Sequence, residues 1–311
     1  MSWENNTVVL EFILLGLSSE PMTQVILFYV FLPVYMVILF GNISIITLIL
    51  SDVCLHTPMY FFLCNLSFLD LCYSSSTVPR MLKDLISGKK TISYAECATQ
   101  MYLSLSLGAT ECILLVIMAY DRYVAICYPL HYTTIMSKMV CVRLAIGTWL
   151  CGFLLSISHV TLTLNVNLCN NNEINNFFCE VPEILSLGCE NILFVEFFIF
   201  IAGVIVLMIP LTFIVISYSQ IILCIIKIKS SAGQRKAFST CGSHILVVTM
   251  FYGSAMAAYM KPYSRSAAET DKFIAIFYII ITPMLNPLIY SLRNNDVKSA
   301  FLKLKIKNKT K

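Results

Sequence analysis

The feature that most constrains this chain is the recurrence of apolar stretches about as long as a lipid bilayer is thick. A helix needs about 20 mostly apolar residues to cross the hydrocarbon layer of a membrane. Seven such stretches occur, separated by connections too short to fold as soluble domains. They run roughly over residues 25–50, 58–80, 98–121, 140–160, 195–226, 237–260 and 271–292. The sequence therefore predicts an all-α membrane protein, a seven-transmembrane helix bundle in which residues 1–311 form a single domain.

Composition agrees with lipid as the surrounding solvent. Hydrophobic residues make up 58% of the chain and charged residues 12%, and the mean hydropathy is +0.81. A soluble domain carries about 25% charged residues. The second, third and sixth stretches contain more Ser, Thr and Tyr than a lipid-facing helix needs, so we expect these helices to face others. Cys112 and Cys224 lie inside apolar runs and are interpreted as small packing residues.

The distribution of Lys and Arg predicts which end of the bundle faces the cytoplasm. Residues 122–143, 227–236 and 293–311 hold most of the basic residues, whereas residues 161–195 hold four Glu and no Lys or Arg. The tail at 293–311 is therefore predicted to be cytoplasmic. Residues 1–24 are predicted to be extracellular; they have no basic residue and do not resemble a cleaved signal peptide. Of four glycosylation sequons, only that of Asn5 lies on the extracellular side.

Five strings of residues at the ends of the predicted spans are long enough to indicate a family. They are Leu55–Leu63 (LHTPMYFFL), Met118–Cys127 (MAYDRYVAIC), Ser217-Tyr218, Lys236–His244 (KAFSTCGSH) and Pro283–Tyr290 (PMLNPLIY). In this order and at these depths, they resemble the vertebrate olfactory receptors of the tetrapod-type class, which are rhodopsin-like G-protein-coupled receptors. The resemblance covers essentially the whole chain.

The resemblance implies that a switch lies at the cytoplasmic end of the third span. It assigns Asp121, Arg122 and Tyr123 to a latch that releases Arg122 toward a G protein; an isolated Asp-Arg pair is otherwise an interfacial anchor. Pro287 removes a backbone hydrogen bond and kinks the seventh helix, where the resemblance implies a hinge. Asn286 is expected to satisfy the carbonyl that this proline frees.

Three ring side chains complete the predicted switch. Tyr218 and Tyr290 stand near the cytoplasmic ends of their helices, where interfacial aromatic residues are common. The resemblance implies that their hydroxyls bridge to the Arg122 region in the active state. His244 is predicted level with Arg122, either as a hydrogen-bonded core residue or as part of the resting-state latch.

The outer loops contain cysteines for which the resemblance implies a pairing. It pairs Cys97, at the top of the third helix, with Cys179 in the second outer loop. It also implies an olfactory-type bridge between Cys169 and Cys189. Spacing alone does not give this connectivity, although an oxidising exterior favours bridges over free thiols.

Helical phase predicts the ligand pocket. Glu111 must face the bundle interior because a carboxylate facing lipid is costly, and residues three, four and seven positions before it share its face. An aromatic stripe on the sixth helix is usually core packing, and here the family resemblance favours a pocket. The predicted ligand-binding residues are Ser104, Leu105, Leu107, Gly108, Ala202, Gly203, Val206, Tyr252, Ala255, Met256, Tyr259 and Ile279. Such a pocket is apolar and uncharged, and the Tyr259 hydroxyl is expected to orient the ligand.

Two carboxylates, Asp70 and Glu111, lie in spans that offer no Lys or Arg at their depth. Two like charges in a shared site cannot both stay ionised without a cation. Either a sodium ion bridges them, as the resemblance to other rhodopsin-like receptors implies for Asp70, or they share a proton in a polar network with Ser67 and Asn286. No other cofactor is expected.

Together these features predict an odorant receptor of the plasma membrane and not an enzyme. It is expected to bind small, mostly apolar, neutral odorants and to activate an olfactory stimulatory G protein, raising cAMP. The expected partners are an odorant, this heterotrimeric G protein, membrane lipid and trafficking chaperones, but no nucleic acid. A metabolite receptor in another tissue is an open alternative; a transporter or channel is disfavoured because no inverted repeat is visible. Apolar residues alternate with lysines after Asn294, which predicts a short amphipathic C-terminal helix.

Overall fold

Seven long helices account for most of the chain. The computed structural model describes residues 10–168, 172–189, 192–260 and 268–293, together with 297 and 300. The helices are α1 (Pro21–Ser51), α2 (Pro58–Ile86), α3 (Tyr94–Cys127), α4 (Lys138–Leu164), α5 (Leu193–Ile226) and α6 (Ser231–Tyr259). The last, α7, runs continuously through Ala268–Ile276, a π-helical turn at Phe277–Ile281, and Thr282–Arg293. The predicted all-α seven-helix class is confirmed.

Burial divides these helices into central and peripheral ones. All except α2 are apolar and long enough to cross a membrane. The most apolar stretch of α3 is 61% buried and that of α6 is 50% buried, whereas that of α5 is 11% buried. About half of the residues of α2 are buried as well, so the prediction that the second, third and sixth helices face others is confirmed. The helix α5 presents most of its apolar surface outward, as a lipid-facing helix does.

Local sequence signals mark the start of three helices, a capping box in α3 and a proline in the first turn of α1 and α2. The helix α3 starts four residues before the predicted span because Ser93 and Glu96 form a capping box, each side chain accepting the other's backbone N–H. Pro21 and Pro58 occupy the first turns of α1 and α2, where a missing N–H costs nothing.

A three-stranded sheet closes one end of the bundle, called here the sheet end. Its central strand β1 (Glu11–Leu14) pairs antiparallel with β2 (Thr91–Ser93) and parallel with β3 (Glu173–Ile174). Lys90, just before β2, donates hydrogen bonds to the backbone oxygens of Leu15 and Ser18, each at 3.2 Å. The N-terminal segment is therefore fixed against the loops that cover the bundle, which hydropathy alone does not predict.

The central helix α3 packs closely against α4 at a glycine. A Cβ atom at Gly152 would lie 2.1 Å from Thr110 Oγ1 and 2.8 Å from the backbone oxygen of Ser106. Only a residue without a side chain allows this separation of the two helices. The close approach fixes α3, which carries much of the functional site.

Candidate functional site

A cavity lies between the helices near the sheet end, and we call it the inner chamber. Its volume is about 100 Å³, and its lining is mostly apolar. The lining residues are Tyr73, Ser104, Leu105, Gly108, Ala109, Cys112, Leu155, Ser156, His159, Val181, Ile199, Gly203, Val206, Leu207, Phe251, Ala255, Tyr259 and Tyr278. No Asp, Glu, Lys or Arg is among these lining residues.

The structure brings together most of the residues predicted to bind ligand. Ser104, Leu105, Gly108, Gly203, Val206, Ala255 and Tyr259 all line the inner chamber. Leu107, Ala202, Tyr252, Met256 and Ile279 are not in this lining. Ile279 is fully buried in the core, and the buried Tyr252 hydroxyl donates to the backbone oxygen of Cys112 at 3.0 Å. Tyr252 therefore connects α6 to α3 behind the chamber.

A second cavity of about 470 Å³, the outer chamber, adjoins the first and is lined by the loop that follows Cys179, the first part of α5, the end of α6 and α7. Five residues line both chambers and make them neighbours: Val181, Ile199, Gly203, Tyr259 and Tyr278. The outer chamber differs in charge, because carboxylates are present in its lining. These are Glu180, Glu183, Glu196 and Asp271. The predicted pocket was uncharged. The carboxylates of the adjoining outer chamber depart from that prediction.

Glu180 lies at the junction of the two chambers. It accepts hydrogen bonds on Oε1 from the hydroxyls of Tyr259 at 2.5 Å and Tyr278 at 2.6 Å. The Tyr259 hydroxyl, which was expected to be available to a ligand, instead donates to this loop carboxylate. Neither Glu180 nor Tyr278 was predicted. Glu180 is a loop residue without a helical phase, and Tyr278 lies in the π-helical turn of α7, where the phase departs from that of a regular α-helix.

A disulfide between Cys97 and Cys179 fixes the loop that carries Glu180. The two Cα atoms are 5.4 Å apart, and the bridge joins the start of α3 to the residue preceding Glu180. The backbone N–H of Cys179 also donates to Gln100 Oε1 at 2.9 Å. The predicted pairing of these two cysteines is present. Cys189 is disulfide-bonded as well, and its predicted partner Cys169 lies outside the described residues.

The predicted switch residues gather at the opposite end of the bundle. Asp121 and Arg122 form a buried ion pair, with Arg122 Nε donating to Asp121 Oδ2 at 3.1 Å. The Tyr132 hydroxyl donates to Asp121 Oδ1 at 2.7 Å. Burial raises the pKa of Tyr132 and the Asp121 carboxylate raises it further, so the phenol stays protonated and able to donate. The Tyr123 hydroxyl donates to the Tyr128 hydroxyl at 3.4 Å.

Tyr218 and His244 bond to each other at this end. The Tyr218 hydroxyl lies 2.7 Å from His244 Nδ1, and both side chains are buried. The Tyr290 hydroxyl is also buried and has no hydrogen-bond partner among the described residues. The bridges from both tyrosines to Arg122, expected for an active state, are not hydrogen bonds in this structure.

The proline of α7 is accommodated differently from the prediction. Pro287 removes the bond that its own N–H would make to the carbonyl of Pro283. Asn42 of α1 donates to that carbonyl at 3.1 Å, so a neighbouring helix satisfies it. Asn286, to which this role was assigned, instead donates to both oxygens of Asp70, at 3.2 and 3.0 Å. The Asn286 amide bonds to Asp70 of α2 because a carboxylate is a stronger acceptor than a backbone carbonyl.

Glu111 lies buried in α3 and interacts electrostatically with Asp70. Its Oε1 and the Asn286 Oδ1 are both buried without a hydrogen-bond partner in the part of the chain that the structure describes. Two orphaned acceptor oxygens beside a second carboxylate are the ligand type that a hard cation prefers. The residues present therefore fit a sodium ion.

Cys224 packs against one particular partner, which the sequence did not indicate. Its Cα lies 5.8 Å from that of Cys127, and the two sulfur atoms are close enough to form a disulfide between α5 and the end of α3 under oxidising conditions. Cys112, by contrast, is buried and free, as expected. Hydropathy does not distinguish these two cysteines, because both lie in apolar runs.

Three further predictions concern residues outside those that the structure describes. Asn5 and Cys169 lie outside the described residues, as does the amphipathic segment after Asn294 except for Val297 and Ala300. Those two residues are helical and buried.

A cavity within seven helices, a bridged loop over it and a buried Asp-Arg pair at the far end define a seven-helix receptor of the G-protein-coupled type. The chain belongs to the olfactory receptor family, whose family model matches residues 31–308. It is 50% identical over 304 residues to human olfactory receptor 2D2 and 49% identical over 304 residues to mouse olfactory receptor 5AR1. Each alignment covers 98% of both chains.

A third olfactory receptor is similar to almost the whole of this chain. Human olfactory receptor 2B2 is 48% identical over 308 residues, covering 99% of this chain and 86% of the relative. The prediction that the protein is an olfactory receptor and not an enzyme is confirmed. It is a multi-pass membrane protein of a family that implies odorant ligands and G-protein coupling.

Proposed function

We propose that this receptor binds small, mostly apolar, neutral odorants in the inner chamber and activates an olfactory-type stimulatory G protein, raising cAMP. The supporting observation is the described lining of that chamber, in which apolar side chains predominate and no Asp, Glu, Lys or Arg occurs. Burying apolar surface contributes about 25 cal/mol per Å². A small ligand gains at most about 1.5 kcal/mol per heavy atom and usually far less, so micromolar affinity is expected.

We place the sheet end outside the cell and the Arg122 end in the cytoplasm of a plasma-membrane protein. The distribution of Lys and Arg supports this orientation. The Cys97–Cys179 bridge at the sheet end suits an oxidising exterior, and a reducing cytoplasm would keep Cys127 and Cys224 as thiols. Asn5 is then on the glycosylated side. Membrane lipid and trafficking chaperones are further proposed partners. Residues 1–311 are proposed to form a single domain.

We also propose that a sodium ion is held between Asp70 and Glu111. Asp70, Glu111 and Asn286 would supply its oxygen ligands, as the orphaned acceptor atoms suggest. When bound, such an ion neutralises carboxylates that otherwise repel each other. The alternative is a proton shared between the two acids.

The proposed ligand site is tested with an odorant panel and a cAMP reporter in cells that supply receptor chaperones. A Cβ atom at Gly203 meets no heavy atom within 4 Å, so Gly203→Val adds bulk to the cavity without a backbone clash. It should raise the EC50 of the agonists found about tenfold or more. Gly147→Val is the matched control, because its Cβ also meets nothing and it lines neither chamber. Equal effects of the two variants would place the ligand elsewhere.

The coupling role is tested with Arg122→Ala at matched surface expression. Because Arg122 lies at the far end of α3 from the inner chamber, agonists should still stabilise the purified variant against heat while cAMP production is lost. Normal cAMP production by this variant would refute the role of Arg122 in coupling.

A further inference from the structure

Two cysteines from distant parts of the chain meet at the end of the bundle opposite the sheet. Cys127 is the last residue of α3, and Cys224 lies in the last turn of α5. Their Cα atoms are 5.8 Å apart. This distance is within the range of about 4.4–6.8 Å found across disulfides. Cys127 Sγ lies 3.8 Å from the backbone oxygen of Gln220, one turn before Cys224. The two side chains therefore face each other across the contact of α3 with α5.

The packing of α3 on α5 holds the two cysteines in this position. Val124 lies one turn before Cys127, and Ile221 and Ile225 flank Cys224 on α5; each of the three is 1% exposed. All three belong to one hydrophobic cluster. Buried apolar contacts therefore set the separation of the two cysteines, without need of a bond between the sulfurs. Both cysteines are half-buried at the edge of this cluster, so a small oxidant in the solvent can reach them.

The surroundings favour the reactive form of these thiols. Peroxides oxidise the thiolate, and nearby Lys and Arg side chains favour this form over the thiol. The segments that follow the two cysteines, residues 128–138 and 227–236, contain no Asp or Glu. Their basic residues are Lys138, Lys227, Lys229, Arg235 and Lys236. Lys227 follows Cys224 by three residues, which places the two side chains on one face of the helix end.

A bond between these sulfurs would restrain the residues of the predicted switch. Arg122 lies five residues before Cys127, and its side chain is only 13% exposed. Tyr218 lies six residues before Cys224 and bonds to His244 of α6 at 2.7 Å. A G protein can contact Arg122 only after the helix ends around it separate. A covalent bond that ties α5 to α3 opposes this separation and retains the arrangement seen here.

We propose that Cys127 and Cys224 are an oxidative modification site, at which a peroxide in the cytoplasm forms a disulfide that ties α5 to α3 and stops G-protein coupling. The inference rests on the proposed function, because it needs Arg122 to couple at the cytoplasmic end. In a reducing cytoplasm the two cysteines stay as thiols, and the receptor signals. Oxidation converts the receptor into a locked form, and a dithiol reductant reverses the change by thiol–disulfide exchange.

The reaction balances with hydrogen peroxide as the only oxidant. One thiolate attacks a peroxide oxygen, the O–O bond breaks, and a sulfenic acid and a hydroxide ion form. The second thiolate attacks the sulfenic sulfur, the S–O bond breaks, and a second hydroxide ion leaves. The two protons released by the thiols convert both hydroxide ions to water. The two sulfurs together lose two electrons, and the peroxide is reduced to two water molecules.

Peptide mapping tests the bond itself. The purified receptor is treated with hydrogen peroxide, its remaining thiols are alkylated, and it is digested without reduction for mass spectrometry. The peptides that contain Cys127 and Cys224 should be linked after peroxide, and separate and alkylated before it. Cys54→Ser removes an exposed free cysteine between α1 and α2 and, as the control, should leave the link intact. Peptides that stay separate after peroxide would overturn the inference.

Nucleotide exchange on the G protein tests the effect on signalling. In membranes, peroxide should reduce agonist-stimulated exchange by the wild-type receptor in proportion to the linked fraction, and thioredoxin with its reductase should restore it. The Cys97–Cys179 bridge is buried and should survive this treatment. Cys127→Ser and Cys224→Ser should each signal normally and resist peroxide, whereas Cys54→Ser should remain as sensitive as the wild type. Either serine variant of the pair is sufficient if the other does not reach the surface.

Two results of this assay would overturn the inference. A linked receptor that signals as well as the reduced one would show that the bond has no effect on coupling. Equal losses in the wild type and in Cys224→Ser would place the sensitive group elsewhere, in the receptor or in the G protein. Failure of the proposed function is distinguishable from both. The reduced wild-type receptor would then activate no G protein with any odorant of the panel, and the effect on coupling would fail with it, whereas peptide mapping would still detect the bond.

Discussion

The Tyr218 hydroxyl lies 2.7 Å from His244 Nδ1, and this contact joins α5 to α6 within the buried end of the bundle. The two rings also stack, with centroids 5.7 Å apart. Both residues were predicted to belong to the switch, but each in relation to Arg122. Their direct bond shows that α5 and α6 are held together beside the Asp121–Arg122 pair in this arrangement. Any outward movement of α6 at this end has to break this hydrogen bond.

A double-mutant cycle measures the Tyr218–His244 contact. Tyr218→Phe and His244→Phe should each lower the thermal stability of the purified receptor, because each leaves a buried polar group without its partner. A buried neutral hydrogen bond contributes about 0.5–1.5 kcal/mol, so the double variant should lose less than the sum of the two single losses. Strictly additive losses would mean that the two side chains do not interact in the folded receptor.

The Cys97–Cys179 bridge should be required for surface display. It closes a sequence separation of 82 residues and fixes the loop that carries Glu180. Loss of a bridge over such a loop costs roughly 2–5 kcal/mol. Cys97→Ser and Cys179→Ser should therefore abolish surface display measured by flow cytometry. Cys151→Ser, which alters an exposed free cysteine, is the control and should display normally. Full display and response of a bridge variant would contradict a structural role of this disulfide.

Gly152 should tolerate no side chain. A Cβ there would lie 2.1 Å from Thr110 Oγ1 and 2.8 Å from two backbone atoms of α3, so α3 and α4 must move apart. Overpacking of this kind costs about 1–3 kcal/mol, and Gly152→Ala should lower the thermal midpoint accordingly. Gly147→Ala on the same helix meets nothing within 4 Å and should be neutral or slightly stabilising. Similar midpoints for the two variants would refute the close approach.

Local periodicity explains which parts of the structure the sequence predicted well. The seven helices follow from apolar stretches of membrane length. The placement of Ser104 and Gly108 in the chamber wall follows from their helical phase relative to Glu111. Both arguments use only neighbours on the same helix, so they need no knowledge of how the helices pack.

Contacts between distant segments explain the rest. The position of Glu180 depends on a bridge to α3, and the carbonyl of Pro283 is satisfied by Asn42, 241 residues away in sequence. Cys127 and Cys224 likewise come into contact from two different helices. Hydropathy and periodicity contain no information about such partners. The sequence shows that Tyr259 and Tyr278 lie in two different spans. It does not show that both donate to Glu180.

The last prediction concerns the buried carboxylates Asp70 and Glu111. Asp70 accepts from Asn286, whereas Glu111 Oε1 and Asn286 Oδ1 have no hydrogen-bond partner in the described residues. Leaving buried acceptors unsatisfied is costly, and a sodium ion among these oxygens would satisfy them. A ligand that binds only the folded state stabilises it increasingly with concentration. The melting temperature of the purified receptor should therefore rise when sodium replaces choline at fixed ionic strength.

Glu111→Gln should remove this dependence, because a neutral amide replaces one of the two charges that hold the ion. The same variant should remove any sodium dependence of agonist potency in membranes. Glu196→Gln, in the outer chamber and far along the bundle from Asp70, is the control and should keep the wild-type response to sodium. A wild-type melting temperature that is flat across a wide range of sodium would exclude the bound ion. It would leave a proton shared between Asp70 and Glu111 as the way their repulsion is relieved.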